Sequence, residues 1–266
     1  MKGRAPLTAQ HPAPDQPPLL NRPSDPDPVT VINADTPSPL LLVCEHAGRH
    51  VPQSLGNLGL PVETFDTHIA CDIGAAEVAE GMATKFGCRL VKQNYSRLMI
   101  DCNRRPGEPS SIPEVSDGVI IPGNQGLDDA QKKQREDEIF RPYATRCQAE
   151  TERACTAFAY SIHSFTPQMK GGAPRPWDIA FLYRSPVSEG DRLADLCAEM
   201  WPDLVIGRNE PYFIDEKTDW FIPVCAEARG VPHCLIEVRN DHLRDAAGRA
   251  LWADRVSHLL ARFMVQ

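Results

Sequence analysis

Short, almost wholly apolar runs recur along this chain, and several end in polar, chemically capable side chains. Leu40–Cys44 runs into Glu45-His46-Ala47-Gly48, and Leu98–Ile100 into Asp101-Cys102-Asn103-Arg104. Ala157–Ile162 delivers His163 and breaks at Pro167; His233–Ile236 delivers Glu237 and then Arg239. Runs this short, bounded by turn residues and lacking polar alternation, read as strands buried on both faces. Between them lie helical patterns. Phe65–Phe86 carries Ile69, Ile73, Ala76, Val78 and Met82 on one stripe, with Asp66 or Thr67 as cap and Gly87 as stop. Asp128–Thr156 is rich in strong helix formers and is expected to break or kink at Pro142. Helices over Asp191–Trp201, about 217–228 and Gly248–Phe263 alternate with further strands at Cys88–Lys92, Ile179–Tyr183 and Leu204–Ile206. Alternation of this kind predicts an α/β fold, a three-layer α/β/α arrangement around a mainly parallel, mixed sheet.

The pattern begins only after the first segment. Residues 1–28 are polar and crowded with proline (Pro12, Pro14, Pro17, Pro18, Pro23, Pro26 and Pro28), so they are expected to form a disordered tail before a single domain over 29–266. Val29–Ile32 reads as an edge strand. Residues 107–126, dense in proline and glycine, read as a long loop suited to covering a site.

A chain of 266 residues with 36 acidic and 28 basic side chains carries a net charge of −8. That balance argues against nucleic acid or anionic membrane as the main partner, while leaving room for a small anionic substrate held by local arginines. No apolar run is long enough to span a bilayer, and the start of the chain lacks the apolar core of a signal peptide, so a cytoplasmic location is expected. Homo-oligomerisation is left open. The nine cysteines include no Cys-x-x-Cys and read as reduced core residues. Cys44 and Cys102 stand beside candidate site residues without an evident base, which leaves nucleophilic catalysis poorly supported.

Strand ends of an open α/β sheet are where catalytic groups collect. His46 precedes Gly48, where the backbone can turn sharply, and Glu45 must project to the opposite side if the strand stays regular. His68 and Asp72 would share one helix face at i,i+4, with Asp72 the better ligand and His68 orienting it. Two histidines and a carboxylate with a place left for water form the usual ligand set of a hydrolytic zinc site, and His46, Asp72 and His163 would supply it. Glu237, on an apolar strand, is either the partner of Arg239 at i+2 or a general base whose pKa burial raises. Asn103-Arg104 offers a planar fork for a carboxylate, and the Asn209–Tyr212 turn offers a further polar wall. A serine nucleophile elbow, a Walker loop and a dinucleotide fingerprint are all missing from the sequence.

Taken together, Glu45–Gly48 with Val51-Pro52, His68 with Asp72, Asp101–Arg104, Ser161–Pro167, Asn209–Tyr212 and Glu237–Asp241 resemble the N-formylglutamate amidohydrolase family, over about residues 39–260. That family is distantly similar to zinc carboxypeptidases, aspartoacylases and cell-wall amidases. The resemblance implies a phosphorylase/hydrolase-like fold with a divalent metal, zinc, at the carboxyl edge of the sheet. His46 and His163 resemble the strand-end histidine ligands, Glu237 the general base, and Asn103-Arg104 the pair that holds a substrate carboxylate. The carboxypeptidase pattern has a glutamate three residues after the first histidine, where this chain has Arg49. The second ligand therefore falls to Asp72, with Glu45 as alternative.

The expectation is a zinc-dependent amidohydrolase acting on N-formyl-L-glutamate or a related N-acyl amino acid. Arg104 and Asn103 would hold the α-carboxylate, Arg97 or Arg239 the second carboxylate, and Asn209 a further polar contact. Glu45 and His68 would support the ligands from behind. A peptidase or cell-wall amidase on the same core, or a binding protein that kept the fold and lost turnover, are the alternatives.

Overall fold

A computed structural model describes residues 17–21, 24–184 and 189–265. The strands in chain order are β1 (Val29–Ile32), β2 (Leu40–Cys44), β3 (Arg89–Gln93), β4 (Val115–Ser116), β5 (Val119–Ile120), β6 (Phe158–Phe165), β7 (Ile179–Leu182), β8 (Ile206–Arg208) and β9 (His233–Arg239). The helices are α1 (Ala75–Phe86), α2 (Asp129–Arg135), α3 (Arg141–Glu152), α4 (Gly190–Met200) and α5 (Ala246–Met264). Seven strands form one sheet in the order β1-β3-β2-β6-β9-β7-β8, and β4 pairs with β5 in a separate small hairpin. The central run β3-β2-β6-β9 is parallel, β1 and β7 pair antiparallel at its flanks, and β8 runs parallel to β7.

Strand alternation divides the core in two. Leu40, Leu42, Cys44, Tyr160, Ile162, Cys234 and Ile236 pack with α1, α4 and α5 on one face. Leu41, Val43, Ala159, Phe165 and Leu235 pack on the other with Ile139–Ala144, Cys147 and the helical turn Phe221–Ala226. All five residues of β2 are buried, as an unalternating apolar run requires. The expected three-layer α/β/α fold with a mixed, mainly parallel sheet is the fold observed.

Several boundaries moved, each for a local reason. The stripe expected to be helical from Phe65 becomes helix only at Ala75; Val62–Asp66 is a short 3-10 turn and 67–74 a series of turns. Gly74 stops the helix from extending back, since its φ is +77° and a Cβ there would lie 2.5 Å from Leu243 Cβ. Leu98–Ile100 is buried but turns instead of pairing. The break expected at Pro142 is present: α2 passes into a π-helical turn, Glu136–Phe140, before α3. The region 217–228 is a π-helical turn followed by a 3-10 turn, without a regular α-helix.

The proline-rich segment also departs from expectation where it is described. Leu19 and Leu20 are buried, and their backbone N–H groups donate to the Glu138 carboxylate at 2.8 and 2.9 Å. The Tyr95 hydroxyl donates to the Pro26 carbonyl at 2.7 Å. Residues 1–16, 22 and 23, the rest of the expected tail, lie outside the described residues.

Gly48 lets the chain after His46 pass against residue 94: a Cβ there would lie 2.0 Å from the Asn94 carbonyl carbon and oxygen. Backbone cannot yield as a flexible side chain can. Gly48→Ala is expected to cost about 3 kcal/mol or more, read from urea unfolding midpoints; an unchanged midpoint would refute the close approach.

Candidate active site

Three neighbouring strands, β2, β6 and β9, bring the candidate residues to one end of the sheet. In the β6–β9 register His163 stands opposite Glu237, and both share a face with Ser161 and Leu235. The chain leaving β2 sends Glu45 to that face and turns His46 toward it from above. Asp72 arrives from the turn before α1, where its N–H donates to the His46 carbonyl at 3.0 Å.

His46, Asp72 and His163 converge, their ligand atoms all within 4.8 Å of one another and all three residues buried. The two rings meet edge to face at 4.7 Å. Nδ1 of His163 lies 2.8 Å, and Nδ1 of His46 3.4 Å, from the same Asp72 oxygen, Oδ2. The far nitrogens each face a second carboxylate: His46 Nε2 is 2.7 Å from Asp101 Oδ1, and His163 Nε2 is 2.9 Å from Glu45 Oε2. Ser161 Oγ donates to that same Glu45 oxygen at 2.6 Å. A carboxylate on each Nε2 orients the ring so that Nδ1 faces Asp72 Oδ2, and such a partner on the far nitrogen is what positions a metal-ligating histidine.

The electrostatics have one sign. Burial opposes ionisation of Asp72, but His46 and His163 beside it hold its carboxyl well below the usual range. Burial likewise opposes ionisation of Asp101, yet Arg97 and His46 lower it, and His163 does the same for Glu45. Burial would neutralise His163, but Glu45 and Asp72 raise its pKa well above the ordinary imidazole value. Two rings among three buried carboxylates make a pocket that favours added positive charge, and two imidazole nitrogens with one carboxylate oxygen are a donor set suited to a divalent cation. The residues present fit such an ion.

Glu237 lies beside this group, 5% exposed, with Oε2 buried and unbonded. Burial pushes its carboxyl up to about 7, with Asp72 adding to the effect. The alternative partner, Arg239, is elsewhere. Its guanidinium bonds Asp241 at 2.8 Å and the carbonyls of Pro176 and Trp177 at 3.1 and 3.2 Å, and it pairs with Asp178. Arg239, expected as a substrate contact, pins the 175–178 loop and is not among the residues that line the cleft.

The cleft has a volume of about 130 Å³ and is lined by the metal-type cluster, Glu237, Arg97, Asn103, Arg104 and Asp219 on its polar side. Arg104 forms an ion pair with Asp219. Asn103 is placed by its N–H, which donates to Asp101 Oδ1 at 2.9 Å, and its Oδ1 accepts from Phe221 N at 3.4 Å. Arg97 lines the cleft but is spent on its wall, reaching Asp101 at 2.6 Å and Asp72 at 3.3 Å. Asn209, expected at the wall, sits in a left-handed turn (φ +53°) and accepts from Tyr183 N at 2.8 Å; its neighbours Tyr212, Phe213 and Ile214 line the cleft instead. His68, expected to orient Asp72 from one helix face, pairs with Asp117 of the β4–β5 hairpin at 3.1 Å, because no helix joins residues 68 and 72.

Asp101 and Asp219 carry roles that the sequence did not disclose. Asp101 was visible as a strand-tip acid, but its bond to His46 spans a separation of 55 residues. Cys44 and Cys102 are buried, with thiols pushed well above their ordinary pKa by that burial, and all nine cysteines are unpaired.

Comparison with known proteins makes the class definite: the chain is a hydrolase that acts on amides. A family model described as N-formylglutamate amidohydrolase matches residues 38–244, and the chain belongs to that family. Among solved structures, a gene product of Agrobacterium tumefaciens is 33% identical with a TM-score of 0.84, covering 93% of this chain and 98% of that one. An N-formylglutamate amidohydrolase from Ralstonia eutropha shares the fold, at 18% identity and a TM-score of 0.60, covering 89% and 96% of the two chains. A search of curated proteins found no match. No helix among the described residues is long and apolar enough to cross a membrane.

Proposed function

We propose that the protein is a divalent-metal-dependent, zinc-type amidohydrolase that releases a small acyl group, formyl first of all, from an N-acyl amino acid. The observation that carries this reading is the convergence of both Nδ1 atoms on Asp72 Oδ2 beside an unbonded Glu237 oxygen. His46, Asp72 and His163 would hold the ion, which supplies Lewis-acid polarisation of the amide carbonyl and a water acidified toward neutrality. The chain's own groups do the rest. Glu237, raised by burial into the range useful at neutral pH, takes the proton of the attacking water and hands it to the leaving amine. Asp101 and Glu45 hold the two rings in register. Arg104, with Asn103 beside it, meets the α-carboxylate with the fork that suits a planar anion. The small cleft favours a small acyl group.

N-formyl-L-glutamate, for which the family is named, is the reference substrate. The test is metal content of the purified protein together with formate release before and after chelation. About one zinc per chain with chelator-sensitive, zinc-restored release supports the reading; no metal, and no release after zinc is returned, would sink it. Arg104→Ala is expected to raise KM for N-formyl amino acids about 10- to 100-fold with a smaller change in kcat, as loss of a charged hydrogen-bonded anchor does. Equal KM values would remove Arg104 from substrate binding. A cytoplasmic setting and action in amino-acid degradation are consistent with an N-acyl amino acid as substrate and belong to the same proposal.

A further inference from the structure

Beyond Glu237 the floor of the cleft turns apolar. Leu235 lies two residues before Glu237 on the same face of β9, and the antiparallel pairing with β7 sets Leu182 opposite it. Phe165 at the end of β6 and Ile214 from the Asn209–Ile214 turn close the same wall; all four are buried, and Phe213 stands exposed among the lining residues.

The cations nearby are already engaged. Arg97 is held by Asp72 and Asp101, His68 by Asp117, and Arg239 by Asp178, Asp241 and backbone carbonyls. Arg175 lies over the Tyr212 ring at 4.8 Å and donates to its hydroxyl at 2.9 Å. Of the two arginines that line the cleft, Arg97 is tied to two acids and Arg104 to one, Asp219, so Arg104 is the one that can turn to a carboxylate without breaking the cluster. A substrate with two carboxylates would satisfy one on Arg104 and place the other on an apolar floor or near Asp219 and Glu237. Desolvating a carboxylate there without a partner is costly.

We propose that the side-chain subsite of this enzyme takes an apolar amino acid: the preferred substrate is the N-formyl derivative of leucine, methionine or a residue of like chemistry, in place of a dicarboxylate. Leu182, Leu235, Phe165 and Ile214 receive the side chain while Arg104 holds the single α-carboxylate. The inference rests on the amidohydrolase reading, and it refines the amino acid, not the reaction.

The test compares N-formyl-L-leucine, N-formyl-L-glutamate and its neutral near-isostere N-formyl-L-glutamine on the zinc-loaded enzyme. The expected kcat/KM is at least about 10-fold higher for leucine than for glutamate, with glutamine above glutamate. A preference for glutamate over both others would overturn the apolar subsite while leaving the amidohydrolase reading intact; hydrolysis of none of the three would sink that reading instead. Binding separates the two a second time. The zinc-loaded Glu237→Gln protein, titrated calorimetrically with the same compounds, is expected to hold N-formyl-L-leucine more tightly than N-formyl-L-glutamate, and the reverse order would reject the subsite without any turnover being needed. Leu182→Ala is expected to lower the leucine-to-glycine ratio of kcat/KM about 10-fold, a ratio that loss of folded protein does not change.

Discussion

Replacing Glu237 by glutamine is expected to lower kcat by about 100- to 10,000-fold while leaving the metal content at its wild-type value. The substitution keeps the shape of the side chain and removes only its capacity to accept a proton. It touches none of the three residues that would hold the ion. Folding should not suffer either: one carboxylate oxygen of Glu237 is buried without a partner, and an uncharged amide avoids the desolvation of an ionised group at that position. Turnover, metal per chain and unfolding midpoint measured on one preparation separate the possibilities. Wild-type turnover would remove Glu237 from the chemistry, and joint loss of turnover and metal would make it a ligand.

Asp72→Asn is expected to act through the other half of the site. Asp72 Oδ2 is the atom on which both Nδ1 nitrogens converge, so its loss should weaken metal binding by more than about 100-fold, with turnover falling in step. Asp101→Asn should weaken it by about 10- to 100-fold, the usual effect of losing the partner that orients a ligating histidine. Competition with a chelator of known affinity measures both. Equal effects would mean that Asp72 is one more orienting acid and that the ion, if bound, is held elsewhere. Retention of wild-type affinity in Asp72→Asn would dismiss the cluster as a metal centre.

The layered fold was readable because short unbroken apolar runs are the signature of strands buried on two faces, and β2 and β9 kept nearly the bounds their composition suggests. His46, His163 and Glu237 were readable for the same reason, each standing at or near the end of such a run. What escaped was anything decided by long-range contact. The stripe from Phe65 has helical spacing, but Leu243 packs against Gly74 and allows helix only from Ala75. Asp72 was therefore singled out from a helix face that does not exist, and it reaches the site from a turn tied to the His46 carbonyl. His68, chosen by the same spacing, went to Asp117. Arg239 and Asn209 were chosen as polar residues near the right strands, and both proved to fasten loops, one by the 175–178 carbonyls and the other by Tyr183 N. Local sequence shows which atoms are chemically able; which of them are already spoken for depends on partners far along the chain.

The pairing of His163 with Glu237 across β6 and β9 has a temporal side. A chain made from its N-terminus has His46, Asp72 and His163 in hand well before Glu237 exists. If these three hold an ion as proposed, it could bind before the chain is complete and would favour the β2–β6 pairing that brings the two histidines together. Glu237 enters last, and only when β9 takes its place between β6 and β7 in correct register, because a slip of one residue would turn it to the opposite face. On the proposed function, ion capture and catalytic competence would in this way be separated by the insertion of one strand.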